Sequence, residues 1–260
     1  MEWIIYIIAG LGAGVVTGLA GLSAAVVITP LLVSVCGWES YNAVTVALSA
    51  DVLASLLTAY TYHKNKNIDL KRGLLVMMTA FLGTVIGSFC GYLFSQVAPD
   101  GLGFISMATT IFLGLKFLLK PMVGGADSTE KANSGASRAK TVLAVICGLF
   151  IGFICGFTGS GGGILMLTVF SVLLGYNLKV AVGTSTLIMS VVALTGAVSH
   201  FSMGARMSPL PVVVIVAFCL LAAIVSAKFA NRCEFRKLNR GVGCALMILG
   251  VFTLALKLLA

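Results

Sequence analysis

Two apolar stretches of this chain repeat one another around a glycine-rich break, and the break limits what the chain can fold into. The first is GLGAGVVTGLAGLSAAVVITPLLVSVCGW (Gly10 to Trp38); the second is GLFIGFICGFTGSGGGILMLTVFSVLLGY (Gly148 to Tyr176). One offset carries Gly10, Gly14, Gly18, Gly21 and Gly37 onto Gly148, Gly152, Gly156, Gly159 and Gly175. The match runs on without a gap to Ala43-Val44 on Ala181-Val182. As one straight helix, residues 3–37 would be about 50 Å long at about 1.5 Å per residue, against a membrane core of about 30 Å. The chain must turn back at the break, as a re-entrant hairpin or a tight pair of helices. Paired, glycine-interrupted apolar segments in two halves of a membrane protein point to a transporter's binding site.

The composition puts the chain in a bilayer. Hydrophobic residues make up 59% and charged residues 10%, with a mean hydropathy of +1.10. A soluble domain carries about 25% charged residues, so this chain cannot cover a water-facing surface. The apolar runs are continuous, which excludes a barrel of alternating strands. Met1-Glu2-Trp3 leads into an apolar run with no basic region before it, so no cleaved signal peptide is expected. The seven cysteines lie in or beside apolar segments without a CxxC pair and read as small buried hydrophobes. The net charge of +9 reflects short basic loops of the kind that set topology; no nucleic-acid motif accompanies it.

Apolar runs and breakers divide the chain into ten segments: 3–20, 23–37, 41–62, 71–97 and 102–119, then 140–157, 161–175, 178–203, 208–230 and 238–258. Residues 121–139, rich in Gly, Ser and charge, form a linker between an N-terminal repeat (1–120) and a C-terminal repeat (140–260). The second segment of each repeat is shorter than the roughly 20 residues a crossing helix needs. If each interrupted stretch returns to its starting side, three crossings follow in each half. All of the 17 basic residues except Arg206 and Lys257 then fall on the inside, as the positive-inside rule requires. Both termini are expected outside and the linker in the cytoplasm. Because each half crosses an odd number of times, the halves enter from opposite sides. The expected fold class is an all-α polytopic membrane protein of two inverted repeats, each a re-entrant or tight helical hairpin followed by three transmembrane helices.

The turns GLAGLSAA (Gly18 to Ala25) and GFTGSGGG (Gly156 to Gly163) are the candidate site. Non-helical backbone at membrane depth must be buried in protein or line a wet cavity. Glycine lets a ligand approach the backbone, and each following helix begins with unpaired N–H groups and a partial positive charge suited to an anion. Ser23, Thr158 and Ser160 add hydroxyls, beside Gly161, Gly162 and Gly163. The competing reading is that the glycines allow close helix packing. On the third segments, Thr45 pairs with Gly183, Ala47 with Ser185 and Tyr62 with His200, and Thr184-Ser185-Thr186 offers three adjacent hydroxyls. Asp51 is the one carboxylate deep inside an apolar segment, which makes it a functional candidate. It and His200 are the candidates for ion coupling; structural roles for both remain open.

The hairpin GFTGSGGGILML, the later AVGTSTLIMSVVALTGAVSHFSMGAR and its first-half counterpart AVTVALSADVLASLLTAYTYHKNKNID together resemble the TauE/SafE sulfite-exporter family over nearly the whole chain. The resemblance implies movement of sulfite, sulfoacetate or other organosulfonates across the cytoplasmic membrane of a prokaryote. The chain departs from the family in its first turn, where Leu22-Ser23-Ala24-Ala25 replaces a glycine run, making Ser23 a candidate side-chain donor. The expected function is therefore secondary transport of small sulfur-containing anions held between the two turns near the midplane. An anion channel on the same scaffold and a carrier of non-sulfur organic anions are the alternatives. No metal cluster, nucleophile–base pair or cofactor motif suggests an enzyme, and no cofactor is expected. The expected partners are the anion and the lipid bilayer; coupling to protons or sodium, and homo-oligomer formation, are compatible with the reading.

Overall fold

A computed structural model describes residues 2–119, 138–160, 162–230 and 235–259. The first half holds α1 (Glu2–Ala20), α2 (Ala25–Val35), α3 (Ser40–Lys64), α4 (Leu70–Val97) and α5 (Gly101–Leu119). The second holds α6 (Arg138–Thr158), α7 (Gly162–Thr168) running into a π-helical turn (Val169–Leu173), α8 (Leu178–Ser202), α9 (Pro209–Ala230) and α10 (Phe235–Leu259). Nine of the ten expected segments coincide with one helix each to within about three residues, the ordinary uncertainty of a helix end, and the tenth, 161–175, is α7 together with the π-helical turn. Among the described residues there is no strand. Among the described residues, eight helices are long and apolar enough to cross a membrane, while α2 and the Gly162–Leu173 segment are shorter. The chain is a multi-pass helical membrane protein. Of the expected linker, only Arg138 and Ala139 are among the described residues, and they begin α6.

The helices pack as α1 along α9, α4 along α6, α3 against α8, and α5 against α10. Exchanging the first five elements for the last five maps this set of pairings onto itself. At the centre are α3 and α8, whose apolar windows are 67% and 72% buried against 28% for α9 and α10. The outer helices turn large apolar side chains outward, among them Leu74, Met78 and Phe89 on α4 and Leu210, Val213 and Phe229 on α9. Such a surface suits lipid.

The repeated glycines divide into two physical classes. Gly10, Gly14 and Gly18 line the face of α1 that meets α9: a Cβ on Gly10 would lie 2.6 Å from the Ile215 carbonyl oxygen, and one on Gly14 would lie 2.8 Å from Ala222 Cβ. Their counterparts Gly148, Gly152 and Gly156 do the same on α4, where a Cβ on Gly148 would lie 2.9 Å from the Val76 oxygen and one on Gly152 would strike Ala80. Glycines every fourth residue let helix backbones touch without a hydrophobic driving force. Here the packing reading is the correct one. The remaining pairs, Gly21 with Gly159 and Gly37 with Gly175, lie in the left-handed region at φ 65°, 68°, 65° and 71°. They end helical segments and set where the chain turns.

Candidate functional site

Each break begins as a helix C-terminus. The Gly21 N–H donates to the Thr17 carbonyl at 2.9 Å and the Gly159 N–H to the Cys155 carbonyl at 2.8 Å. A left-handed glycine then redirects the chain, as at many helix ends. The two breaks meet inside the protein. Ser23 Oγ donates to the Gly159 carbonyl at 3.1 Å, joining the first turn to the second, and accepts from the Ala25 N–H at 3.3 Å. A Cβ on Gly163 would strike the Gly21 carbonyl oxygen and come within 3.0 Å of Leu22 Cα and 3.1 Å of Ser23 N. Only hydrogen at position 163 allows this contact.

Each turn also rests on the central helix of the opposite half. A Cβ on Gly21 would meet Val182 Cγ1 at 3.1 Å, Thr186 Cγ2 at 3.3 Å and Ser185 Oγ at 3.5 Å, all on α8. One on Gly159 would lie 2.5 Å from Val44 Cγ1 on α3. Ser23, Thr158 and Ser160 are all buried. Thr158 Oγ1 lies 3.0 Å from both the Ile154 and the Ser160 carbonyls, either of which can take its one proton, and it accepts from the Ser160 N–H at 3.2 Å. Among the described residues, Ser160 Oγ is held by one bond, 3.4 Å to Thr158 Oγ1. Behind this turn, a Cβ on Gly162 would collide with Cys155 Sγ and approach Met189 Sδ at 3.3 Å. Gly161 lies outside the described residues.

The three adjacent hydroxyls of α8 separate as helical geometry demands. Ser185 and Thr186 flank the first turn, and their hydroxyls return to backbone carbonyls, Ser185 to Val182 at 3.0 Å and Thr186 to Val182 at 2.9 Å. Thr184 faces elsewhere. Its hydroxyl accepts from the Asp69 N–H at 3.0 Å, tying down the α3–α4 loop rather than joining the turns. Asp51, fully buried on α3, accepts from Ser55 Oγ at 2.8 Å through Oδ1. Its Oδ2 has no hydrogen bond of good geometry, although the Ser23 hydroxyl and the Ala24 N–H lie beside the same carboxyl. His200 is also fully buried. Its Nε2 donates to the Gly156 carbonyl at 3.2 Å, its Nδ1 lies 3.1 Å from Thr45 Oγ1, and its ring stacks on Tyr41 at 4.5 Å.

A polar cluster that the sequence reading overlooked closes the α3–α4 side. Tyr176 donates to Asp69 Oδ2, Arg72 Nη1 donates to Tyr176 Oη at 3.3 Å, and the Arg72 N–H caps back to Asp69 Oδ1 at 3.2 Å. Tyr176 is buried. Burial, reinforced by the Asp69 carboxylate, pushes its phenol up to about 12, so it stays a donor at neutral pH. The usable signal was Asp69 three residues before Arg72, a helix-capping spacing. At the other end, a cavity of about 480 Å³ is lined by Tyr41, Asn42, Tyr92, Ser95 and Arg206 among others, and the Arg206 N–H donates to Asn42 Oδ1 at 3.1 Å.

Comparison with known proteins agrees with this architecture. The sulfite exporter TauE/SafE family profile matches residues 6–253. Among relatives, the probable membrane transporter protein YunE of Bacillus subtilis is 29% identical over 225 residues, 78% of this chain and 80% of that one. The probable membrane transporter protein YdhB of the same organism is 27% identical over 225 residues, 84% of this chain and 86% of that one. A probable membrane transporter protein of Methanocaldococcus jannaschii is 23% identical over 201 residues, 75% and 71% of the two chains. No solved structure matches the chain significantly. With eight apolar helices of spanning length and a family match over nearly its whole length, the chain belongs to the sulfite exporter TauE/SafE family of membrane transporters.

Proposed function

We propose that this protein is a secondary carrier of small sulfur-containing anions, sulfite or organosulfonates, in the cytoplasmic membrane of a prokaryote. The anion is held between the two glycine-rich turns. The observation that carries this reading is the contact of the turns through Ser23 Oγ and the Gly159 carbonyl. It brings together two helix starts, each with partial positive charge, plus the hydroxyls of Ser23 and Ser160. A sulfonate offers several acceptor oxygens and one charge, which backbone N–H groups and hydroxyls can match without a buried cation. Because the turns touch in this structure, they must part to admit a ligand and close around it. Two inverted repeats, each a hairpin plus three crossings, would let that happen alternately from either side. The self-mapping set of helix pairings supports this symmetry.

The test is a thermal-unfolding screen of the purified protein against sulfite, thiosulfate, sulfoacetate, isethionate, taurine and simple carboxylates. Binding to the folded state adds RT ln(1 + [L]/Kd) to the unfolding free energy, about 2.7 kcal/mol at a hundredfold excess over Kd, and so raises the unfolding temperature. Stabilisation by sulfonates or sulfite, with saturable exchange of labelled substrate across proteoliposomes, is the expected result. Stabilisation by carboxylates alone would reassign the substrate. Large unitary currents without saturation would make the protein a channel.

A further inference from the structure

The Ser23 hydroxyl has one proton and two acceptors facing it. One is the Gly159 carbonyl at 3.1 Å in the other turn; the other is the Asp51 carboxyl. A serine hydroxyl donates only once, so it cannot serve both. The Ala24 N–H, next along the same turn, also faces Asp51. These are the donors that the proposed site would offer an anion at the start of α2. Asp51 itself is fully buried, and its Oδ2 has no hydrogen bond of good geometry. Ser55 on its own helix satisfies only Oδ1. Among the described residues, the titratable groups that sense its charge from the packed helices are the thiols of Cys155 on α6 and Cys219 on α9. Neither supplies a compensating positive charge.

We infer that Asp51 is a proton-binding site coupled to the anion site, the carboxylate and the substrate anion competing for the Ser23 hydroxyl and the Ala24 N–H. This rests on the reading that the turns hold an anion. An ionised Asp51 and a bound sulfonate would set two negative charges on one donor set in a water-poor interior, where like charges repel strongly. A proton from the medium must therefore add to the Asp51 carboxylate when the anion binds. The neutral acid then leaves Ser23 and Ala24 free for the ligand. When the anion leaves, the proton leaves to the same side, and the carboxylate takes the donors back. Anion and proton move in the same direction. Met189, which the repeat offset pairs with Asp51 and which lies beside Gly162 in the second half, has no ionisable group, so one proton per anion is expected.

The experiment uses the full-length protein in lipid nanodiscs with isethionate and sulfoacetate, whose sulfonates stay charged at every pH used. Proton uptake on binding is read with a pH indicator in weakly buffered medium, and Kd is measured from about pH 5 to about pH 9. We expect about one proton taken up per anion above the pH at which Asp51 ionises. Over that range Kd should rise by up to about tenfold per pH unit. Asp51→Asn should bind with a Kd that does not change with pH and should take up no proton. His200, bonded to Gly156 and Thr45 away from Asp51, is unaltered in that variant, which separates the two groups. Wild-type binding without proton uptake, or the same pH dependence in Asp51→Asn, overturns the coupling and leaves the anion site standing. Binding of neither sulfonate by wild type overturns the anion site and this inference with it.

Discussion

Gly163→Ala tests whether the two turns separate during function. Its added methyl would strike the Gly21 carbonyl oxygen and lie 3.0 Å from Leu22 Cα and 3.1 Å from Ser23 N, all of them backbone atoms of the first turn. Backbone cannot swing aside like a flexible side chain, so the turns must part by a fraction of an ångström or more. Overpacking of this kind costs about 1–3 kcal/mol. That cost falls on the closed arrangement and not on the parted one, so the parted population should rise by about 5- to 150-fold. Cys155, fully buried behind Gly162, reports the change. Alkylation by N-ethylmaleimide, followed by peptide mass spectrometry, should be faster at Cys155 in the variant by that factor. Gly14→Ala is the control, because its methyl meets Ala222 and Ala223 on α9, away from the turns. It should lower the unfolding temperature with little change in Cys155 labelling. Wild-type labelling and an unchanged unfolding temperature in Gly163→Ala would refute the reasoning, since the methyl would then fit without parting the turns.

Two further outcomes follow from the same geometry. Tyr176→Phe removes a hydroxyl that donates to Asp69 and accepts from Arg72, a loss of about 1.5–3 kcal/mol for a charge-assisted bond. Hydrogen exchange at the Asp69 amide, now held by Thr184, should speed up accordingly; an unchanged rate would mean that Tyr176 does not hold the loop. In the wild type the Tyr176 bond should be intact below about pH 10, where an unfolded tyrosine is still protonated. It should fail as pH rises through about 12, which the same exchange measurement can follow. For topology, Ser128→Cys in the linker should resist a membrane-impermeant maleimide in intact cells and react once cells are opened. Labelling from outside would reverse the orientation.

The elements were legible because lipid leaves the chain few choices. Continuous apolar runs broken by Gly21, Gly37, Gly159 and Gly175 gave the ends of the hairpin segments, and these are four of the five described glycines with positive φ, the fifth being Gly204 after α8. The four-residue spacing of Gly10, Gly14 and Gly18 was equally visible, but not its partner. What they contact is the backbone around Ile215 and Cys219 on α9, which carries no local signature. Site chemistry was legible by residue type and less so by direction. Successive helical residues turn by about 100°, so Ser185 and Thr186 can reach the first turn while Thr184 faces the Asp69 loop. The meeting of Ser23 with Gly159, and of Tyr176 with Asp69, joins residues distant in sequence. Only the packed fold reveals such pairs. The π-helical turn at Val169–Leu173 interrupts an apolar run with no Pro or Gly to mark it.

The claim at the centre of this account is that an anion sits between the two turns. The most direct measurement is a crystal structure of the protein with 2-bromoethanesulfonate, located by the anomalous signal of its bromine. The account predicts a peak enclosed by Ser23, Ser160 and Gly163, with the sulfonate oxygens on the Ser23 hydroxyl and the first N–H groups of α2. A peak confined to the cavity beside Tyr41 and Arg206, with the Ser23–Gly159 bond still closed, would contradict it.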